Sequence, residues 1–306
     1  MKRLFYIIMA ALVLAGCGQS YEEKRRVSHK RRQQLLREDS AALKVAVMPT
    51  LDCLPLFLAK EHHMFDTATV DVRLKMFTAQ MDCDTAIVGG SVEGTVTDLV
   101  RAERIVQKGM PLRYVTTTNA YWQLYTNRTA RIKTLKQLDD KMVAMTRYSA
   151  TDLLADLLRD SAKISAERLF KIQVNDVNIR LKMLLNNEID AVLLTEPQAT
   201  QARLAHHFLL LDSRKTSVGP LGVLAFSERA LKVKKREEQL EVLKRGYNKA
   251  CDSLAAHGIG YYRDVVVKYC GLRASQVDSL PAAIRFPHIA APQESDVQYA
   301  QKWLKR

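Results

Sequence analysis

A polar loop at the start of a predicted helix is the stretch best suited to hold a ligand. Four apolar residues (142–145) lead through Thr146-Arg147-Tyr148-Ser149 into leucines at helical spacing, which predicts a strand, a short loop and a helix. Ser149 or Thr151 is the expected N-cap. Because the first turn of a helix offers backbone N–H groups and partial positive charge, this loop with Arg147 suits an anionic or strongly polar group. Alternatively, Ser149 and Thr151 only cap the helix and Arg147 is solvated.

Strands alternating with helices must position this loop. Before it, apolar runs predict strands at residues 43–48, 70–77, 86–88 and 112–116 and helices at 55–63 and 95–107. After it, the pattern predicts a strand at 172–174, a helix at 177–186 and a strand at 189–194. The interval from Phe77 to Ala86 leaves little room for a helix, so we expect a short turn there. This order predicts open α/β sheets with a ligand beyond the carboxyl ends of their strands.

Two extended segments, residues 120–127 and 218–226, connect the two αβ series. We therefore expect two lobes joined by two crossings, with the binding cleft between them. The predicted organisation is a signal at 1–17, a tether at 18–42, lobe 1 at 43–120, lobe 2 with the crossings at 121–222, and a return to lobe 1 at 223–306. Tyr121, Trp122 and Tyr125 either stack on a flat ligand or pack at the hinge. Beyond Ser227 the chain is predicted to be helical as far as His257, with Gly258 ending the helix.

The first residues, MKRLFYIIMAALVLAGC, are typical of an export signal, because the apolar run is too short to span a bilayer. Leu14-Ala15-Gly16-Cys17 resembles the lipobox of bacterial lipoproteins. By that resemblance Cys17 becomes the lipidated first residue of a membrane-anchored protein that faces the periplasm or the cell exterior. The alternative is an ordinary secretory signal. Residues 18–42 are expected to form a solvated, partly helical tether that can rest on anionic lipid, and export argues against a nucleic-acid partner.

The net charge of +14 favours polyanionic surfaces and anionic solutes. Four cysteines besides Cys17 leave one or two disulfides possible in an oxidising compartment, without fixing their pairing. The histidine doublets at 62–63 and 206–207 are interpreted as surface residues. No GxSxG, HExxH or P-loop motif occurs, so neither an enzyme nor a cofactor is predicted.

Short motifs occur in order from about residue 43 to residue 303. They are Pro55-Leu56-Phe57-Leu58-Ala59 with Phe65, Ile132-Lys133-Thr134-Leu135-Lys136-Gln137-Leu138, Ser149-Ala150-Thr151-Asp152, Ile189-Asp190-Ala191, Glu196-Pro197 and Trp303-Leu304. As a set, they make the chain resemble the periplasmic solute-binding proteins of ABC importers, in the group that serves nitrate, sulfonates such as taurine, and the pyrimidine precursor of thiamine. The resemblance implies a type II periplasmic-binding-protein-like α/β fold, a small-molecule solute, and an ABC permease and ATPase as partners.

The resemblance also implies the positions of ligand contacts. They are Asp52 and Cys53 after the first strand, Gly90 and Ser91 after the third, Tyr148, Ser149 and Thr151 in the second lobe, and the Glu196 turn. Because Asp52 and Glu196 would make the cleft more negative, a zwitterion or a neutral nitrogen heterocycle suits it better than a simple anion. Alternatively, Glu196 forms an ion pair at a strand end, and Cys53 is a small buried residue or a disulfide partner.

Three positions depart from the family pattern: His63, Asp140 and Asn187 stand where glycine usually ends a helix or turn. Their side chains tolerate the left-handed backbone conformation, so we expect the fold to be kept.

Two other functions remain open. One is a pyrimidine-precursor biosynthetic enzyme on the same scaffold, although the histidine and clustered cysteines of such enzymes are not found. The other is a metal-binding receptor using Asp52-Cys53 and Asp82-Cys83-Asp84.

Overall fold

The computed structural model describes residues 21–66 and 70–306, and the chain divides into two units, residues 1–42 and 43–306. The described part of the first unit is one helix, α1 (Tyr21–Ala41), in which the side chains of residues 25–38 are exposed. The predicted tether is therefore helical where it is described. The predicted signal and Cys17 lie outside the described residues. No described helix is both long enough and apolar enough to cross a bilayer.

The described residues of the second unit form ten strands in two sheets. The strands are β1 (Leu43–Val47), β2 (Val72–Met76), β3 (Gly94–Asp98), β4 (Leu112–Thr117), β5 (Gln123–Thr126), β6 (Lys141–Met145), β7 (Leu169–Gln173), β8 (Ala191–Leu194), β9 (Phe208–Asp212) and β10 (Gly222–Ser227). The helices are α2 (Leu54–Glu61), α3 (Gln80–Val88), α4 (Leu99–Gln107), α5 (Ala150–Ala162), α6 (Val177–Leu185), α7 (Gln198–Leu204), α8 (Glu228–Leu231), α9 (Lys234–His257), α10 (Arg263–Cys270), α11 (Ala274–Val277) and α12 (Glu294–Leu304).

The two sheets share one topology. Their strand orders are β2-β1-β3-β10-β4 and β7-β6-β8-β5-β9. In each, the first three strands are parallel and the fourth is antiparallel to both neighbours. The central strands β1, β3 and β8 are buried along their whole length, as expected for parallel strands covered on both faces. We call the first sheet with its helices lobe 1 and the second sheet with its helices lobe 2. The predicted α/β fold of two lobes joined by two segments is confirmed.

In the structure the chain crosses between the lobes at residues 118–122, between β4 and β5, and at residues 213–221, between β9 and β10, and hydrogen bonds hold the ends of these crossings together. The amide of Thr118 donates to the carbonyl of Gly222 over 2.9 Å, and the amide of Ser213 donates to the carbonyl of Trp122 over 2.9 Å. A Cβ atom at Gly222 would lie 2.3 Å from Thr118 Oγ1 and 2.6 Å from Ala120 Cβ. Glycine at this position therefore allows the crossings to approach closely.

The sequence prediction is wrong between β2 and β3. Residues 86–88, predicted as a strand, form the last turn of α3, which occupies the interval where a short turn was expected. The third strand is instead β3, so α4 begins at Leu99 and not at residue 95. The β-branched residues Thr95, Val96 and Thr97 suit a strand, and the Asp98 side chain caps α4 by accepting from the amide of Arg101.

Other local predictions are confirmed. His63, Asp140 and Asn187 adopt positive φ angles of 51°, 61° and 61°. Ser149 is the N-cap of α5, and its Oγ accepts from the amide of Thr151 over 3.1 Å. Gly258, with φ of 78°, ends α9.

Candidate functional site

A cavity of about 60 Å³ lies between the lobes, where the parallel strands of both sheets end. This is the edge at which open α/β sheets bind ligands. It is lined by Met48, Thr50, Asp52, Gln80, Val96, Thr97 and Asp98 of lobe 1, by Ala120 and Trp122 of the first crossing, and by Thr146, Ser149, Thr151, Val177, Arg180 and Thr195 of lobe 2. Hydroxyl, amide, carboxyl and guanidinium groups thus meet in one small space.

Three of the predicted contacts, Asp52, Ser149 and Thr151, line this cavity. Asp52 lies in a short turn directly after β1, and its Oδ2 accepts from Thr118 Oγ1 over 3.5 Å. Burial raises the pKa of the Asp52 carboxyl, against the opposing effect of hydrogen bonds from Thr50 and Thr118. Asp52 therefore becomes protonated at a higher pH than an exposed aspartate does.

Cys53 does not line the cavity, because its side chain is fully buried in the apolar core of lobe 1. Cys53 is therefore a small buried core residue, which was the alternative to a ligand contact. None of the described cysteines is in a disulfide; they are Cys53, Cys83, Cys251 and Cys270, all buried. Burial raises the pKa of the Cys83 and Cys251 thiols to about 12.

Gly90 and Ser91 are also outside the cavity lining, and their predicted position after the third strand is wrong. The sequence pattern predicts residues 86–88 as the third strand, and that prediction places Gly90 and Ser91 after it. In the structure they follow α3 and precede β3, at the edge of the sheet away from the cavity. Ser91 Oγ donates to the carbonyl of Ala86 over 3.1 Å, so the segment closes the end of α3.

Arg147 and Tyr148 are exposed at the rim of the interlobe contact. Tyr148 has a positive φ of 52°, and its ring stacks under the guanidinium of Arg104 from lobe 1, 3.9 Å from the ring centroid. The carbonyl of Arg147 accepts from Arg101 Nη1 over 3.4 Å. Both residues thus contact lobe 1 and do not line the cavity.

Glu196 is buried near the hinge rather than on the cavity lining. Its carboxyl accepts from Tyr121 Oη over 3.0 Å and from the amide of Thr200 over 3.0 Å. Burial raises the pKa of Glu196, while these two hydrogen bonds act in the opposite direction. The Tyr121 ring also lies against the Arg214 guanidinium, at 3.8 Å. Tyr121 and Glu196 thus pack at the hinge.

The backbone amides at the start of α5 already have partners, contrary to the sequence expectation. The amide of Ala150 donates to Asp98 Oδ1 over 3.0 Å, and that of Thr151 donates to Ser149 Oγ. The amides of the next two residues donate to the carbonyl of Ser149 over 3.0 Å. Asp98 belongs to lobe 1, so a carboxylate from the opposite lobe occupies the anion position of this helix.

Asp98 was not among the predicted site residues. It is 5 % exposed, and burial raises the pKa of its carboxyl to about 7, although Arg101 favours the charged form. The guanidinium of Arg101 pairs with Asp84 of α3. The usable sequence signal was the polar residue ending a β-branched run, which the predicted helix at residues 95–107 obscured.

Arg180 on α6 was also missed. Its side chain is 6 % exposed and lines the cavity, and its Nε and Nη1 have no hydrogen-bond partner among the described residues. Burial lowers its pKa to about 10, against the attraction of Asp176. A sequence signal existed: Arg180 stands three residues after Val177 and four before Leu184, on the buried apolar face of its helix.

The lining combines one under-satisfied cation with two carboxyls that burial shifts toward protonation. It can bind an anionic group at Arg180 and hydrogen-bond donors at Asp52 and Asp98. Within residues 21–66 and 70–306, no three histidine, cysteine or acidic side chains are arranged to hold a metal ion. In particular, Cys83 is buried and Asp84 is paired with Arg101.

Solved structures resemble this chain in fold. The ligand-binding component of an ABC-type import system from Staphylococcus aureus, solved with zinc bound, has a TM-score of 0.71 at 16% identity over 86% of this chain and 91% of its own. The alkanesulfonate-binding protein from Xanthomonas axonopodis pv. citri, bound to MOPS, has a TM-score of 0.70 at 18% identity over 87% and 91%. The periplasmic nitrate-binding protein from Synechocystis PCC 6803 has a TM-score of 0.67 at 14% identity over 83% and 74%.

The sequence itself gives the closer classification. No curated protein sequence matches the chain. The family model described as NMT1/THI5-like matches residues 50–267, which is more than half of the 306 residues. The match includes the strand ends and helix starts that form the interlobe cavity. This chain therefore belongs to the NMT1/THI5-like family.

Proposed function

We propose that this protein is the solute-binding component of an ABC importer and that it closes its lobes on a small anionic or zwitterionic solute. The observation that carries the proposal is Arg180, a buried guanidinium on the cleft with two nitrogen atoms that have no partner in the part of the chain that the structure describes. Leaving a charged donor buried and unpaired is unfavourable, so a fold that keeps one at its cleft gains when an anion arrives. The binding proteins of similar fold support the same role.

The anion's partners in this proposal come from lobe 2. The guanidinium of Arg180 supplies charge and directional donors that suit a sulfonate, carboxylate or nitrate group. Thr146, Ser149 and Thr151 line the same cavity, but their hydroxyls already donate to backbone carbonyls, so Arg180 is the main donor for the anion. Lobe 1 supplies Asp52 and Asp98, which favour an ammonium or another donor at the far end of the solute. This charge distribution supports an amino-sulfonate or amino-carboxylate zwitterion over a simple anion.

The size of the cavity limits the solute in the closed form. Its volume of about 60 Å³ is well below the roughly 300 Å³ of the smallest typical ligand pockets. A nitrate-sized group suits this space, whereas a larger solute requires the lobes to stand further apart. We infer that the crossings at residues 118–122 and 213–221 are the hinge for that motion.

The chain is proposed to bind its solute without converting it. The similar structures are named as ligand-, sulfonate- and nitrate-binding proteins, which supports binding over catalysis. The proposed partners are an ABC permease and its ATPase, which would receive the solute from the closed form.

We also propose export and lipid anchoring through Cys17. The support is the signal-like segment ending in Leu14-Ala15-Gly16-Cys17, together with the periplasmic relatives of the fold. Mass spectrometry of the protein purified from membranes should show an acylated Cys17 at the N-terminus. A membrane-associated protein without this modification, or an uncleaved signal, would contradict the anchor.

Isothermal titration calorimetry with nitrate, ethanesulfonate, taurine and MOPS tests the binding proposal. We expect at least one of them to bind the wild-type chain and Arg180→Met to abolish that binding. Lys182→Met is the matched control, because Lys182 is exposed on the same helix. The proposal fails if none of these compounds binds, and native mass spectrometry finds no solute retained through purification.

A further inference from the structure

Asp98 joins the two lobes through a single carboxylate. Its Oδ1 accepts from the amide of Arg101 over 3.1 Å within lobe 1 and from the amide of Ala150 over 3.0 Å in lobe 2. The side chain is 5 % exposed, so water does not satisfy it in place of these amides. One carboxylate thus caps α4 and also occupies the start of α5.

Arg101, in the first turn of α4, makes the complementary contact. Its Nη1 donates to the carbonyl of Arg147 over 3.4 Å, while its Nη2 pairs with Asp84. Lobe 1 therefore offers an anion to an amide and a cation to a carbonyl of the same lobe 2 loop. Such paired polarity fixes the orientation of the two surfaces and disfavours other alignments.

The position that Asp98 occupies is one that suits an anionic ligand. The start of a 13-residue helix carries partial positive charge, and Ser149 and Thr151 of the same turn line the cavity. Arg180, whose Nε and Nη1 have no hydrogen-bond partner among the described residues, lines the same cavity. An anion that binds the amide of Ala150 must first displace Asp98.

We propose that Asp98 is an internal competitor of the solute: its carboxylate takes the anion position at the start of α5 and holds the lobes closed without a solute. Competition with a solute rests on the proposed function, whereas closure by Asp98 does not. The residue then sets specificity, because a solute must offer more than a lone anionic group to replace an anion that the protein already supplies. Burial opposes the charged form of Asp98, with Arg101 and Asp84 as its charged neighbours.

Two substitutions separate the contacts of Asp98. In Asp98→Ser the hydroxyl keeps the cap on α4, since serine is a favourable N-cap, but the shorter side chain loses its reach to Ala150. In Asp98→Asn the amide oxygen keeps its reach to both amides but loses the charge. If Asp98 only capped α4, both variants would therefore behave like wild type.

Closure is measured by pulsed electron paramagnetic resonance on the full chain, with spin labels at Met76→Cys in lobe 1 and Phe170→Cys in lobe 2. Both positions are exposed, at 42 % and 45 %, and the described native cysteines are buried. Without solute, we expect Asp98→Ser to populate longer distances than wild type and Asp98→Asn to lie between them. Identical distance distributions in all three proteins would overturn the proposal.

Competition is measured by calorimetric titration of nitrate and ethanesulfonate. Because a hydrogen bond to a charged group is lost, we expect Asp98→Ser to bind the anion about 10-fold more tightly than wild type. Equal or weaker binding by Asp98→Ser would refute competition. If neither protein binds any probe, the proposed function fails, and the distance distributions without solute still decide whether Asp98 closes the lobes.

Discussion

Replacing Arg180 by methionine should make the unliganded protein more stable while removing its affinity for solute. Arg180 is only 6 % exposed, and Nε and Nη1 lack hydrogen-bond partners in the described structure. Methionine has a similar length and no charge, so it fills the space without leaving an unpaired donor. The opposite changes in stability and binding distinguish a binding residue from a structural one.

The expected gain follows from the burial of the charge. Burial lowers the pKa of Arg180 to about 10 from a usual value above 12. At about 1.4 kcal/mol for each pKa unit, this corresponds to roughly 3 kcal/mol of unfavourable free energy for the charged form. The sign is fixed: the folded-state pKa is depressed, so at pH 7 both states are charged and the whole penalty is present. We expect a gain of about 1–3 kcal/mol, because replacing buried charges by apolar groups falls in this range.

Urea denaturation of wild type and Arg180→Met at pH 7, with and without solute, measures both effects. A solute at 100 times its Kd should stabilise wild type by about 2.7 kcal/mol and leave the variant unchanged. Lys182→Met should remain within about 0.5 kcal/mol of wild type, because this lysine is exposed. If Arg180→Met is less stable than wild type, or solute stabilises both proteins equally, then Arg180 does not have the role argued for it.

Three further predictions concern the cleft, the cysteines and the hinge. Asp98→Asn should remove a loss of stability that wild type shows as pH rises from about 4 to 7: with the pKa of Asp98 raised to about 7, the folded state binds the proton that the unfolded state releases. Urea denaturation of both proteins at pH 5 and pH 8 measures this change in the free energy of unfolding. An equal change in wild type and Asp98→Asn would mean that the pKa of Asp98 is not raised. In Cys17→Ser, Ellman's reagent should detect no thiol in the folded protein and four in urea, because the other cysteines are free and buried; two or fewer in urea would indicate a disulfide. Gly222→Ala should cost about 1–3 kcal/mol because its Cβ would overlap the first crossing, whereas Gly260→Ala, with its nearest neighbour at 3.9 Å, should be nearly neutral in thermal unfolding; equal stability of the two variants would contradict the close approach.

The sequence predicted the elements whose periodicity is strong. The helix α5 and its Ser149 cap, the end of α9 at Gly258, and the left-handed positions all follow from local chemistry that neighbouring residues determine. The region between β2 and β3 failed because α3, Gln80–Val88, lacks an amphipathic repeat, and its apolar end resembles a short strand. That one error placed Gly90 and Ser91 on the wrong edge of the sheet.

The two residues that define the cleft were missed for a different reason. Arg180 lies on a helix whose apolar residues alone explain its pattern, and Asp98 ends β3, which the sequence pattern predicts as part of a helix. The local sequence pattern suggests only that Arg180 is a solvated charge and that Asp98 is a helix cap. Their other role arises only where the lobes meet, because the carboxylate of Asp98 and the amide of Ala150 are 52 residues apart in sequence. A charge on the apolar face of a helix is the local sign that would have selected Arg180.

The charges of the cleft limit which solutes can close it. A lone anion gains the guanidinium of Arg180 but meets the carboxyls of Asp52 and Asp98 on the opposite lobe. Those carboxyls can bind a protonated amine, or become protonated themselves, since burial raises the pKa of both. A zwitterion satisfies both lobes without proton uptake, whereas an anion must bring a proton with it. Binding of nitrate or ethanesulfonate should therefore weaken as pH rises above about 7, while binding of taurine should change less over the same range. Calorimetry in two buffers of different ionisation enthalpy measures this proton uptake directly, and an anion that binds with no uptake between pH 6 and pH 8 would show that the two carboxyls do not select the solute.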